Sequence, residues 1–357
     1  MSTKPQNLIV QTVLNNRFKK KHISTKLVDK LNTHCNLVQL LVWWDESSLL
    51  YRHKQFVLAD TPRCIVYDTL VYDHYTGVTT NPVSTLMTYY DLSFPQAVYV
   101  ANHFLTKVSK LDMEQYIFDE YINKELFAAG TDGIDLDYIL KTDLTQSTFP
   151  ATKADALKKV YAYLCKTRCI DRDLVTHFLK KRYLGLDSSN LLCFYTYRGD
   201  EVIAVTKKGI NPKLSFKQNL VKEKHTGFFY GSSTVKEFKE VYVFESCVDL
   251  LSFLTLVKKG FVPQPAAGSC FISLNGAATR YLEKVLLEHP TIERIHFCTD
   301  NDRAGQLAVT LFTSRTHSKL PVDYWNQYLV DGVRGAKDLK DWNELLQACC
   351  EDEKLPF

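Results

Sequence analysis

Three acidic clusters crowd the last third of this chain, each set where a short apolar strand is expected to end. The first is Val241-Tyr-Val-Phe-Glu245-Ser-Cys-Val-Asp249, in which a β-prone run delivers Glu245 to a strand tip and Asp249 to the first turn of an apolar helix. The second is Ile295-His-Phe-Cys-Thr-Asp300-Asn-Asp302-Arg-Ala-Gly305, again a strand feeding two carboxylates into a loop before a helix. The third is Lys337-Asp338-Leu-Lys-Asp341-Trp-Asn343. Strands alternating with helices imply an α/β fold with a parallel sheet, and such sheets gather functional groups at the carboxyl ends of their strands. Carboxylates clustered there repel one another unless a cation neutralises them, and an all-oxygen set suits Mg²⁺ or Mn²⁺. If Glu245, Asp300 and Asp302 serve one ion, their carboxylates should lie within about one coordination sphere of each other.

Taken singly, each cluster has an ordinary explanation. A Glu after a strand is commonly a solvated loop residue, and Asp before a helix is commonly an N-cap. The order of the clusters is harder to explain that way, because a further strand and helix (Cys270-Phe-Ile-Ser-Leu274, then Ala278 to Leu287) intervene.

In that order, Glu245 with Asp249, then Asp300-x-Asp302-x-Ala-Gly305, resembles the Toprim domain shared by bacterial-type primases, topoisomerases and some nucleases. The nearest flavour is the primase-like Toprim of plasmids and other mobile elements, where a late Lys-Asp-x-Asn segment recurs, as at Asp338, Asp341 and Asn343. Primases usually carry Gly after the glutamate; here Ser246 stands instead, still small. The resemblance implies Glu245, Asp300 and Asp302 as catalytic metal ligands, with Asp249, Asp338, Asp341 and Asn343 supporting them and Lys337 near phosphate. Asn275-Gly276, at the tip of the second strand, would approach a phosphate through its backbone N–H.

The likeness extends upstream. Tyr163-Leu-Cys-Lys-Thr-Arg168-Cys-Ile is similar to the Tyr-Leu-x-x-Arg-Gly segment that opens the primase catalytic core, with Cys169 in place of glycine. Strands Leu191 to Tyr197 and Glu201 to Thr206, joined by Arg198-Gly-Asp200, match the sheet that follows. Gly227-Phe-Phe-Tyr-Gly231 looks like the exit into Toprim. Arg168, Lys207 and Lys208 are then phosphate contacts; for Arg168 a structural salt-bridge role stays equally open. Further forward, Tyr72-Asp-His-Tyr-Thr-Gly77, Val83 to Tyr90 and Leu92-Ser-Phe-Pro-Gln-Ala-Val98 resemble the end of the primase zinc ribbon. The thiolates are missing, and Cys64 with His74 cannot close a tetrahedral site, so no zinc is expected. A surviving role in template or partner contact is implied, and an unrelated small β domain remains the alternative.

The expected organisation is a basic leader (1–35, a short helix or an arm, with Arg17-Phe-Lys-Lys-Lys21), a degenerate zinc-ribbon-like α+β domain (36–105), and a helical linker (106–150). A basic primase-core-like α+β subdomain (151–240), the Toprim domain (241–345) and a tail (346–357) follow. Leu37 to Leu105 reads as short β-prone stretches and then helices, with Ser93 as an N-cap. In the linker, Met113 to Phe127 has amphipathic spacing, Gly130-Thr-Asp-Gly133 breaks it, and Thr142 to Pro150 is turn-rich. Lys153 to Tyr183 has helical spacing.

Charge follows the same division. Residues 151–240 hold 18 Lys+Arg against 9 Asp+Glu, whereas 1–150 hold 14 against 16 and 241–357 hold 12 against 15. A basic segment beside an acidic site suits an enzyme that handles polyanions. Lys180, Lys181 and Arg182 are the candidate backbone contacts, though any one such run can be a solvated helix face. No apolar stretch approaches a membrane span and no signal pattern opens the chain, so a cytoplasmic protein without a membrane partner is expected. None of the ten cysteines shows CxxC spacing, and most read as buried thiols.

Implied partners are single-stranded DNA and nucleotides. Because no GxxxxGK[ST] occurs, unwinding would fall to a separate helicase or replication initiator. The favoured activity is a primase-like nucleotidyltransferase in replication of a mobile element or phage. A Toprim nuclease and a non-catalytic DNA- or replisome-binding adaptor stay open. No separate catalytic-tyrosine domain is evident, which argues against a topoisomerase, although twenty tyrosines stop short of excluding one.

Overall fold

The computed structural model describes residues 23–45, 48–52, 54–109, 113, 117, 154–187, 189–210, 217–222, 226–232, 235, 237–276, 279–316, 320–331 and 338–352. The expectations for Arg17 to Lys21, Gly130 to Gly133, Thr142 to Pro150 and Lys337 lie outside these residues, as does most of the expected linker helix. The chain divides into two units, one of residues 1–132 with 307–319 and the other of 133–306 with 320–357.

The first unit begins with helices α1 (Thr25–His34) and α2 (Leu37–Trp44). The block expected to open on β-prone stretches has this second helix ahead of its strands. Asn36 Oδ1 accepts the Gln39 N–H at 3.0 Å and starts a helix, and all its residues except Gln39 are buried. A run apolar on every face carries no period to betray a helix. Strands β1 (Leu49–Arg52), β2 (Gln55–Leu58), β3 (Thr61–Val66), β4 (Val71–Asp73) and β5 (Thr79–Thr80) form an antiparallel meander in chain order. Helix α3 (Pro82–Tyr90) follows, then α4 (Phe94–His103), where Gln96 Oε1 accepts the Ser93 N–H at 2.8 Å in a capping box.

The 72–77 turn is closed by a carboxylate. Asp73 Oδ1 accepts the N–H groups of Tyr75 at 2.8 Å and Thr76 at 3.4 Å, and Arg63 Nε lies 3.1 Å away. Gly77, at φ 69°, completes it. Cys64 is buried with its thiol 3.5 Å from the Tyr89 hydroxyl, and the His74 ring meets Tyr72 edge-on.

In the second unit, α5 (Ala154–Tyr161) widens into a π turn through Thr167, and α6 (Arg172–Lys180) starts at Asp171, whose Oδ1 accepts the Leu174 N–H at 2.9 Å. Between them Cys169 sits at φ 58°, the left-handed region that explains why glycine would be usual there. Strands β6 (Leu184–Leu186), β7 (Leu191–Arg198), β8 (Glu201–Gly209) and β9 (Lys217–Val221) make an antiparallel sheet in chain order.

The remaining elements are β10 (Phe228–Gly231), β11 (Glu240–Phe244), α7 (Cys247–Lys258), β12 (Ser269–Ser273), α8 (Arg280–Glu288), β13 (Arg294–Phe297), α9 (Arg303–Thr316), β14 (Val322–Tyr324), α10 (Gln327–Val330) and α11 (Trp342–Asp352). Their sheet runs β10-β12-β11-β13-β14, parallel throughout except for β10, which lies antiparallel on β12. This is the expected α/β sheet, with an α+β unit before it. The 228–231 segment is a strand of this sheet and not merely an exit from the preceding one. Ten of the twelve residues of α7 are buried, so the helix lies inside the core, where Phe253 meets the Trp342 ring edge-on at 5.0 Å. Among the described residues no helix is long and apolar enough to cross a membrane.

Candidate carboxylate metal site

Strands β11 and β13 are parallel neighbours, with Val243 opposite Phe297 and the Cys298 N–H donating to the Val243 carbonyl at 2.8 Å. The residues just beyond them, Glu245 and Asp300, therefore leave the sheet side by side. The Asp300 N–H donates to Glu245 Oε1 at 3.1 Å. Asp302 caps α9, its Oδ1 accepting the Gly305 N–H at 3.0 Å. Gly305 has no room for a side chain: a Cβ there would lie 2.2 Å from the Asp300 carbonyl oxygen and 2.8 Å from Glu245 Oε1.

Each of these carboxyls feels the charge of its neighbours. Burial, then the charges of Asp302 and Asp249, push the Glu245 carboxyl up to about 7. Burial, then Glu245, Asp249, Asp341 and Asp302, push Asp300 up to about 9. Asp249 rises to about 6 through burial and Asp341. Asp300 Oδ1 is buried and has no hydrogen-bond partner. A buried, unpartnered carboxylate oxygen amid like charges is the setting in which a divalent cation is most stabilising, so the donor chemistry fits Mg²⁺. The side chains are not preset as a cage. Glu245 Oε1 is turned to the Asp300 amide and Asp302 Oδ1 to that of Gly305, and among the described residues no three His, Cys, Asp or Glu groups are arranged to hold a metal.

The supporting residues separate. Ser246, standing where glycine is usual, caps α7: its Oγ accepts the Asp249 N–H at 3.2 Å and donates to Asp249 Oδ2. Asp249 Oδ1 accepts the Asn343 N–H at 3.3 Å. Asn343 Nδ2 donates to Ser252 Oγ at 2.9 Å and to the Arg168 carbonyl at 2.8 Å. Asp341 opens α11, accepting the Glu344 N–H at 2.8 Å. The third cluster thus starts a helix; the expectation that it ends a strand is corrected. Asp338 is exposed at φ 52°, its N–H given to the Val330 carbonyl at 3.2 Å.

Of the basic candidates, Arg168 lies over the Tyr163 ring and donates from Nη1 to Asn343 Oδ1 at 3.1 Å. These contacts tie Arg168 into the fold through an amide and not through a carboxylate. Lys207 is buried against Asp187 at 3.3 Å. Successive strand residues face opposite ways, so Lys208 is the one that turns to the carboxylate side, lining a small cleft with Lys217, Ser246, Thr206 and Asn275. The Gly276 N–H is taken by the Glu245 carbonyl at 3.0 Å, which corrects its assignment as a phosphate donor. Lys180, Lys181 and Arg182 are exposed at the end of α6.

Two lysines near the carboxylates escaped the sequence reading. Lys217 pairs in register with Lys208 across β8 and β9, and its charge favours the ionised form of Glu245. Lys340, inside the third cluster, places Nζ 3.4 Å from Asp302 Oδ2. Period-two alternation would have found Lys217 had β9 been recognised; Lys340 was in view but had no assigned role.

The class defined here is an α/β domain whose sheet, parallel except for β10, carries acidic residues just beyond the ends of β11 and β13. Residues 242–346 match the Toprim-like family, and the chain carries a Toprim-like domain there. Among solved structures, it is similar to the primase fragment of the bacteriophage T7 primase-helicase protein (16% identity, TM-score 0.37), covering 53% of this chain and 70% of that one. It is also similar to the zinc-binding and RNA polymerase domains of the Aquifex aeolicus primase (16% identity, TM-score 0.36), over 93% of this chain and 84% of that one. A DNA primase domain from Pseudomonas aeruginosa is similar at 17% identity and TM-score 0.35, over 60% and 75%. No curated protein matches the sequence significantly.

Proposed function

We propose that this protein is a primase-type nucleotidyltransferase that joins nucleotides on single-stranded DNA in the replication of a mobile element or phage. The observation that carries the reading is the sequestered, unpartnered Asp300 Oδ1 beside Glu245 at adjacent strand ends of a Toprim-like domain. Glu245, Asp300 and Asp302 would hold Mg²⁺ or Mn²⁺. When bound, the ion supplies charge stabilisation to the transferring phosphoryl group and its leaving pyrophosphate. The protein's own part is positional. Lys208 and Lys217, facing the carboxylate side from the antiparallel sheet, would bind the polyphosphate. Asn343, Ser246 and Ser252 hold Asp249 and the start of α7 in place. The exposed Lys180, Lys181 and Arg182 would follow the template backbone.

A nuclease is the second reading, and one observation favours it. A Glu245 carboxyl pushed up to about 7 is suited to passing a proton near neutral pH. The test is incubation of the protein with single-stranded DNA, labelled nucleotides and Mg²⁺ or Mn²⁺. Extension supports the proposal, degradation the nuclease, and DNA binding with neither selects the adaptor.

A further inference from the structure

We propose that Lys340 is the built-in counter-ion of the carboxylate pocket, and that a divalent cation must displace it from Asp302 to bind. The inference rests on the reading of Asp302 as a cation ligand.

Its ammonium lies 3.4 Å from Asp302 Oδ2, on the oxygen that the Gly305 amide leaves open. The position is held by backbone. The Asn301 N–H donates to the Lys340 carbonyl at 2.7 Å, Asn301 Nδ2 donates to the Leu339 carbonyl at 3.3 Å, and the Lys340 N–H donates to Glu344 Oε2 at 2.8 Å. Segment 339–340 is thereby bolted to the loop that carries Asp300 and Asp302. The side chain itself is 56% exposed, so its head can swing into solvent at small cost. The pocket is thus neutralised in part by a cation that is fixed at its root and free at its tip. A dication arriving at Asp302 meets a like charge in direct contact with its ligand, and loses affinity by about tenfold at low ionic strength. Lys340 would set the metal concentration at which the site fills.

The experiment is Mn²⁺ binding to the full chain, followed by the electron paramagnetic resonance signal of free Mn²⁺, with parent, Lys340→Gln, Lys340→Arg and Asp302→Asn. Lys340→Gln should bind about tenfold more tightly, and the gain should shrink as salt is raised. Lys340→Arg, which keeps the charge, should bind like the parent. Unchanged or weaker binding by Lys340→Gln overturns the inference, as does a gain of equal size in Lys340→Arg. The metal reading has its own test: if the parent shows no saturable binding, or if Asp302→Asn binds as well as the parent, that reading falls and takes the inference with it, whereas the Lys340 outcomes overturn the inference alone.

Discussion

The amide of Asp300 donates to Glu245 Oε1 at 3.1 Å, so the ends of β11 and β13 are tied through the very carboxylate that repels Asp300. Attraction and repulsion at one contact make the two substitutions unequal. Asp300→Asn removes a carboxyl that burial and its acidic neighbours hold protonated at a cost that grows with pH, and it keeps the amide bond, so its melting temperature at pH 8 should equal or exceed the parent's. Glu245→Ala loses an acceptor worth about 1 kcal/mol, offset by relieved repulsion. Either should lower extension or cleavage by two orders of magnitude or more while DNA binding stays near the parent's. A variant with full activity would sink the site assignment.

Gly305→Ala tests the close packing of the loop. The new Cβ cannot coexist with the Asp300 carbonyl, so the loop must open, at about 1–3 kcal/mol as judged by urea unfolding. Metal affinity should fall with it. A variant as stable as the parent would show that the loop is already loose.

Acidity and metal should be linked. Glu245 and Asp300 have folded-state values raised to about 7 and about 9, so folding favours their protonated forms. Without metal, their contribution to stability is full below the unfolded carboxyl value near 4 and is lost as pH rises through 7 and 9. A cation needs the ionised forms and releases those protons. The rise in melting temperature on adding Mg²⁺ should therefore grow from pH 6 to pH 9. A rise that is constant or shrinks would contradict the raised values.

Reversing the charge of Lys180, Lys181 and Arg182 together should weaken single-stranded DNA binding alike for all sequences and flatten its salt dependence. Fluorescence anisotropy at several salt concentrations reads both effects. Unchanged affinity would make the run a solvated helix face.

Metal analysis of the purified protein should find no tightly held zinc. The 72–77 turn is closed by the Asp73 carboxylate, which the Tyr75 and Thr76 amides and Arg63 hold below the usual range against the opposing effect of desolvation. One zinc per chain would point first to Cys64 and His74.

The strand tips could be read because each requires only local information: a β-prone run, a carboxylate, then a capped helix. Glu245 and Asp300 met that description, and pairing of β11 with β13 placed them together. What could not be read depended on partners distant in sequence. Whether Lys207 or Lys208 faces the site turns on which side of β8 is buried, and Lys217 on a strand whose apolar pattern is weak. The Gly276 amide looked available until the Glu245 carbonyl took it. Helix α2 was hidden for the opposite reason, since complete burial erased its periodicity.

Strand β10 has a consequence for where this protein can be divided. It is borne on the chain before the Toprim-like match, yet it seals the β12 side of that domain's sheet, with Phe228 opposite Ser273. Gly227 lies so close to the Ser273 carbonyl that a Cβ would come within 2.2 Å, and its own carbonyl accepts the Thr196 hydroxyl at 2.8 Å. A fragment cut at Val241 would bare a row of unpaired amides and carbonyls along β12, a template for joining other molecules edge to edge. The seam visible in the sequence is therefore not a place where the molecule comes apart.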